Sequence, residues 1–237
     1  MQNMTSDDAL KVRDLRFSWD TRTADILNIK NLDVPMGRSL FIHGPSGSGK
    51  STLLNLLSGV LSVQHGTIQL LGQEFSSLRA AKRDKLRADH IGYIFQQFNL
   101  LPYLSVLDNV TLPTKISTQR RQGKAQHARA LTEEAEHWLA QLQVPRSVFS
   151  QPVSRLSVGQ QQRVAAARAL IGSPEIIIAD EPTSALDQQN IDNFMTVLTQ
   201  QCRSIGSSLL FVSHDMQLAG FFDATYDLHP STPGEHE

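Results

Sequence analysis

The chain has little that would tie it to an oxidising compartment, a bilayer or a nucleic acid. Its one cysteine, Cys202, excludes an intramolecular disulfide and suits a reducing compartment. Basic residues are not in excess. The formal net charge is −1, which argues against a general nucleic-acid binder. No apolar run approaches the length needed to span a bilayer, so a membrane role calls for a separate membrane partner. Asp7 and Asp8 stand where a signal peptide would need basic and then apolar residues, so none is expected. The Glu-His-Glu end has no targeting character. What remains is 40% hydrophobic and 19% charged over 237 residues, an ordinary globular composition for one large domain or two small ones.

Against that background one stretch stands out, Gly44-Pro45-Ser46-Gly47-Ser48-Gly49-Lys50-Ser51. It fits G-x-x-x-x-G-K-[ST], a loop that wraps a nucleotide's phosphates. Glycines let the backbone turn tightly and approach a phosphate with no Cβ in the way. Successive N–H groups then form an anion nest. Lys50 can reach the β/γ-phosphates, and the Ser51 hydroxyl can sit on Mg²⁺. Ser39 to Ile42 reads as a buried strand entering the loop, and Ser51 to Leu57 as the helix leaving it.

Residues 1–10 are polar and expected to be disordered. Lys11 to Trp19 alternates, with Leu15, Phe17 and Trp19 on one face of a predicted strand. A loop over 20–25, a strand over 26–34 and a strand over 66–71 complete the N-terminal part. Residues 78–90 read as a solvated basic helix, and 90–95 as a strand ending at Gln96. Residues 115–143 have helical composition, with Leu131, Ala135, Trp138, Leu139 and Leu142 facing a core. Arg120, Arg121, Lys124, Arg129, Glu133, Glu134 and Glu136 are expected to face solvent. A helix over 157–170 follows, then a buried strand over 175–179. Ile191, Phe194, Met195 and Leu198 form one helical stripe, and 208–212 is another buried strand. No internal repeat is found, so the chain holds motifs for one nucleotide site. This order predicts a parallel α/β core with a helical subdomain inserted after the Gln96 strand.

Several residues stand where such a core places its chemistry. Asp180 and Glu181 close an apolar strand, and open α/β sheets bind ligands at the carboxyl ends of strands. One carboxylate can hold Mg²⁺ opposite Ser51, and its neighbour can act as general base toward water. His214, at the end of the next strand, can reach a γ-phosphate and hold the water and Glu181. Gln96 can reach Mg²⁺, with Gln97 as its competitor. Ser157 is a good N-cap, and the helix start behind it can bind an anion. The insertion carries that turn away from its own phosphate loop, so its anion is expected on another copy of the chain.

Together these residues resemble the ATP-binding cassette family over nearly the whole chain. Gly44 to Ser51 matches its Walker A motif, Gln96 its Q-loop, and Leu156-Ser157-Val158-Gly159-Gln160 its signature. Ile176 to Glu181 matches Walker B with the catalytic glutamate, Ser184 to Asp187 the D-loop, and His214 the switch histidine. Phe95 to Pro102 and Leu107 to Val110 look most like the lipoprotein-releasing and macrolide-exporter ATPase subunits. The resemblance implies a P-loop NTPase fold, α/β, with a mixed or antiparallel N-terminal β subdomain. The expected domain covers residues 11–234, with its core at 11–96 and 172–234 and its helical subdomain at 97–171.

The implied activity is ATP hydrolysis that powers a membrane transporter. ATP would be held by Gly44, Pro45, Ser46, Gly47, Ser48, Gly49, Lys50, Ser51 and Thr52. Ser51, Gln96 and Asp180 would hold Mg²⁺, while Glu181, His214 and Gln96 are the catalytic set. Ser157, Gly159, Gln160 and Asp187 would complete the site of a second copy in a homodimer. The further partner is an integral-membrane permease on the inner face of the cell membrane, with Phe98 to Leu104 facing it; no nucleic acid partner is expected. The alternative is a low-turnover ATP-driven switch or scaffold. Two points stay open: Val158 stands where the family has glycine, and either Trp19 or Phe17 stacks on adenine.

Overall fold

The computed structural model describes residues 7–20, 25–122, 128–184 and 186–229. Lys124, Ala185, most of the 20–25 loop and the Glu-His-Glu end lie outside the described residues.

The chain begins with two long strands, β1 (Asp8–Phe17) and β2 (Leu27–Pro35), followed by β3 (Ser39–His43) and helix α1 (Lys50–Leu57). β4 (His65–Leu70) and β5 (Gln73–Glu74) precede α2 (Ala80–His90) and β6 (Ile91–Ile94). Then come α3 (Val106–Ile116), α4 (Thr118–Gln122), α5 (Ala128–Gln141) and α6 (Val158–Leu170). β7 (Ile176–Asp180), α7 (Gln188–Ile205), β8 (Ser208–Val212) and β9 (Ala224–Asp227) close the order.

Among the described residues the strands form two sheets. One is antiparallel, in the order β2-β1-β4-β5; the other is parallel, in the order β6-β7-β8-β3-β9. The parallel register sets Ile42 beside Val212, Val212 beside Asp180, and Ile94 beside Ala179. All four strands therefore end at one edge of the sheet. β7 and β8 are apolar apart from Asp180 and Ser208 at their ends, because both faces are covered. One face packs on α1 and the antiparallel sheet through Ile42, Leu53, Ile178 and Leu210. The other packs Phe41, Ile177 and Phe211 against α3, α5, α6 and α7. Each such side chain contributes roughly 1.5–3 kcal/mol on burial.

Several sequence expectations need correction. β1 starts at Asp8, so residues 8–10 are not a disordered tail. Ala9 and Leu10 are buried, and Asp8 pairs with Pro35 of β2. Trp19 does not share the buried face of Leu15 and Phe17. It lies beyond the strand, 63% exposed, while Phe17 is 5% exposed. The region over 115–143 is interrupted at Ser117, between α3 and α4, and its helical character starts earlier, at Val106. Arg120 does not face solvent; it is 2% exposed, near the charges of Asp89 and Glu175. Glu134 is half-buried, and its carboxylate accepts from the Gly172 N–H at 2.9 Å, tying α5 to the turn after α6. Phe98 also points inward, at 7% exposure, whereas Tyr103 in the same segment is 74% exposed.

Candidate active site

The loop between β3 and α1 opens on the common edge of the parallel sheet. Gly47 and Gly49 have φ of 82° and 90°, a region that side chains rarely adopt. No side chain caps α1, whose N-cap is Gly49. Its first N–H groups and positive dipole end therefore face the loop. Lys50 is buried, and its Nζ donates to the carbonyls of Gly44 (2.8 Å) and Pro45 (2.9 Å).

A cleft of about 600 Å³ lies over this loop. Ser46, Gly47 and the run from Gly49 to Thr52 line it, with Trp19 and Ile26 from between β1 and β2 and Gln96, Glu181 and His214 from just beyond the ends of β6, β7 and β8. Gly44, Pro45 and Ser48 are not on its wall; Ser48 is fully buried and its Oγ has no partner. Gln96, not Gln97, lines the cleft.

Glu181 follows β7 at φ 42°, an unusual value for a residue with a side chain. Its N–H bonds Val212 O at 3.0 Å, which holds that turn against β8. One carboxylate oxygen, Oε1, is 3.9 Å from Lys50 Nζ, and Oε2 is 3.3 Å from His214 Nδ1. Asp180 accepts a hydrogen bond from the Ser51 hydroxyl. Burial holds the Asp180 carboxyl above the ordinary carboxylate range, with adjacent Glu181 pushing the same way and Ser51 and Lys50 opposing. Ser51, Asp180 and Gln96 together offer hydroxyl, carboxylate and amide oxygens, a donor set that fits a hard cation such as Mg²⁺.

The signature residues lie elsewhere. Ser157 caps α6 in a reciprocal box: Ser157 Oγ accepts from Gln160 N at 3.3 Å, and Gln160 Oε1 accepts from Ser157 N at 3.0 Å. Val158 is the first helical residue and 47% exposed. Asp187 caps α7, accepting from Asn190 N at 3.0 Å, and that bond with the Asn190 side chain holds its carboxyl below the usual range. Ser157, Gly159, Gln160 and Asp187 do not line the chain's own cleft.

Sequence reasoning missed Ile26, which lines the cleft beside Trp19 and carries no chemical signal. It also missed Arg168, whose signal was legible: a lone charge within Val164-Ala165-Ala166-Ala167-Arg168-Ala169-Leu170.

Residues 27–184 match the family described as ABC transporter. The chain is 36% identical to the lipoprotein-releasing system ATP-binding protein LolD of Novosphingobium aromaticivorans, over 94% of this chain and 97% of that one. It is 38% identical to the macrolide export ATP-binding/permease protein MacB of Vibrio parahaemolyticus, over 94% of this chain but only 33% of that protein. A solved dimeric structure of the ATP-binding cassette MJ0796, in a post-hydrolysis state bound to ADP and Pi, superposes with a TM-score of 0.82. It is 32% identical, over 93% of this chain and 94% of that one. With this fold, this cleft and these relatives, the chain belongs to the ABC transporter family, as one of its ATP-binding, ATP-hydrolysing cassettes.

Proposed function

We propose that two copies of this chain close head to tail over two ATP–Mg²⁺ and hydrolyse ATP to drive an integral-membrane permease. The observation that carries this reading is the Glu181 carboxylate, set between Lys50 and His214 beside the phosphate loop.

The amides of Gly47 and of Gly49 to Thr52, with the Lys50 ammonium, bind the phosphates, with Trp19 exposed as the stacking platform for adenine. Phe17 is buried in the core and offers no free face. Ser51, Asp180 and Gln96 would hold Mg²⁺, which would supply positive charge to offset that of the phosphates. Glu181 takes the proton of the attacking water, and His214 orients Glu181 and the γ-phosphate. Ser157, Gly159, Gln160 and Asp187 act on the nucleotide of the second copy. Gly159 supports this role, because a Cβ there would meet only Leu186 at an ordinary 3.7 Å. Nothing among the described residues requires glycine at that position, which suits a close approach by something outside the chain. A site finished only by the second copy couples hydrolysis to closure.

The permease would dock on a second groove, of about 430 Å³, lined by Tyr93, Phe95, Leu112 and Ile116. Ile116 is 71% exposed beside it. No helix among the described residues is long and apolar enough to cross a membrane, which suits a subunit held at the cytoplasmic face by such a partner. Residues 97–171 would be the part that moves relative to the core.

Glu181→Gln tests the reading. In Mg²⁺ and ATP its turnover should fall by about 10²–10⁴-fold, while a nucleotide-bound dimer accumulates in analytical ultracentrifugation. A normal rate removes the proposed base, and a species that stays monomeric removes the shared site.

A further inference from the structure

The loop between β6 and α3 brings Gln96 to the cleft, and it is held in a costly conformation just beyond that residue. Phe98 and Asn99 have φ of 60° and 47°, two successive left-handed residues without glycine. Such backbone persists only where its surroundings over-determine it. The Phe98 ring supplies one hold, being buried in the helical core. Arg168 supplies the other. Its Nη2 donates to Phe98 O at 2.6 Å and its Nη1 to Asn99 O at 2.7 Å. The planar fork meets two adjacent carbonyls, a geometry that a lysine's single ammonium does not reproduce.

Arg168 belongs to α6, the helix that starts at Ser157. Eleven residues of helix separate the two, a rigid rod of ~16 Å at 1.5 Å per residue. The same buried run of α6, Val164 to Leu170, packs in the helical core. One end of the rod thus presents the turn assigned to the second copy's nucleotide, and the other grips the loop that carries Gln96 to this chain's own nucleotide.

We propose that Arg168 is a positioning residue, a two-pronged clamp that makes the Gln96 loop travel with the signature helix. This rests on the roles given above to Ser157 and Gln96. When the Ser157 turn is drawn onto the γ-phosphate of the second copy, α6 carries the backbone of Phe98 and Asn99 with it. Gln96, two residues away, is then set within its own cleft. Closure at one site thereby prepares the other site of the pair.

The test is a double-mutant cycle in the full-length chain. Arg168→Met and the gentler Arg168→Lys are made alone and with Gln96→Ala, and ATP turnover and Tm are measured. Arg168→Met should lower kcat by about 10- to 100-fold, the size of effect that a misplacement of ~1 Å produces. Arg168→Lys keeps the charge and one contact, and should lower kcat several-fold. KM for ATP should stay within about twofold in both, since the phosphate loop and Trp19 are untouched. Adding either change to Gln96→Ala should slow turnover no further, because the clamp acts only through Gln96. If Arg168→Met does not fold, the Arg168→Lys cycle carries the same comparison. Losses that multiply with Gln96→Ala, or a raised KM at unchanged kcat, overturn the clamp and leave Arg168 a packing residue. If Gln96→Ala slows turnover and the Arg168 variants do not, the clamp alone falls. If Gln96→Ala itself turns over normally, the role given to Gln96 falls and the clamp with it.

Discussion

The start of α1 and the start of α6 are both small-residue turns that open a helix, and they leave their unpaired N–H groups in different states. α1 follows Gly49, which is left-handed and has no side chain to cap with, so its first amides face the cleft. α6 follows Ser157, whose reciprocal bonds with Gln160 already satisfy the N-cap and third-position amides. Of the four groups that a helix start leaves open, the amides of Val158 and Gly159 remain, at the surface. The contrast separates a whole anion site from half of one. The α1 turn has lysine, hydroxyl, carboxylate and glutamine gathered round it by four strand ends. The α6 turn has two amides and a dipole, enough to complete a site that another chain has begun.

The largest break in that comparison comes from Lys50→Met. It should cut turnover by about 10²–10³-fold and weaken nucleotide binding, since no other lysine or arginine lines the cleft among the described residues. Ser157→Ala acts on the other turn. We expect turnover about tenfold lower, nucleotide binding to the monomer unchanged in equilibrium titration, and about 1 kcal/mol of stability lost with the cap. Equal losses of monomer binding from both substitutions would erase the distinction between the two turns.

Val158→Gly sharpens it further. Val158 has a helical conformation that valine accepts readily, and its side chain is exposed where a second copy would approach. Turnover should change several-fold at most. A rise from undetectable ATPase to a normal rate would mean that valine had closed the half-site.

The smallest effect is on stability, at Asp180. Burial raises its carboxyl's folded pKa above the ordinary 3.8. The folded chain then holds more protons than the unfolded chain between those two values, so stability falls as pH rises through that window. Without Mg²⁺, Asp180→Asn should therefore raise Tm at neutral pH, and its advantage should vanish once pH drops below the ordinary carboxylate range. With Mg²⁺ and ATP the order should reverse, as wild type gains binding that the variant has lost. A lower Tm for Asp180→Asn at neutral pH without Mg²⁺ would show that the Ser51 bond outweighs the burial.

What could be read in advance had a local cause. β3, β7 and β8 are short runs of branched and aromatic residues because a sheet covered on both faces demands it. The phosphate loop was visible because its glycines serve a backbone turn within one stretch. The misreadings had distant causes. Arg120 and Glu134 sit in a charged stretch that looks solvated, yet they are buried or half-buried against Asp89, Glu175 and Gly172 from other parts of the chain. Ala9 and Leu10 were hidden in a polar start, and pairing with β2 and β4 draws them inside.

By itself the sequence determined the chemistry on offer: a glycine-rich turn ending in Lys50 and Ser51, paired carboxylates after an apolar strand, and a serine that opens a helix. Each depends on neighbours a few residues away, which the chain order already supplies. Only the tertiary structure decided that Glu181 stands between Lys50 and His214, that Trp19 is bare while Phe17 is covered, and that Arg168 grips the loop behind Gln96. Those outcomes depend on the register of parallel strands and the packing of α6, contacts between residues some 30 to 170 positions apart that no local pattern encodes.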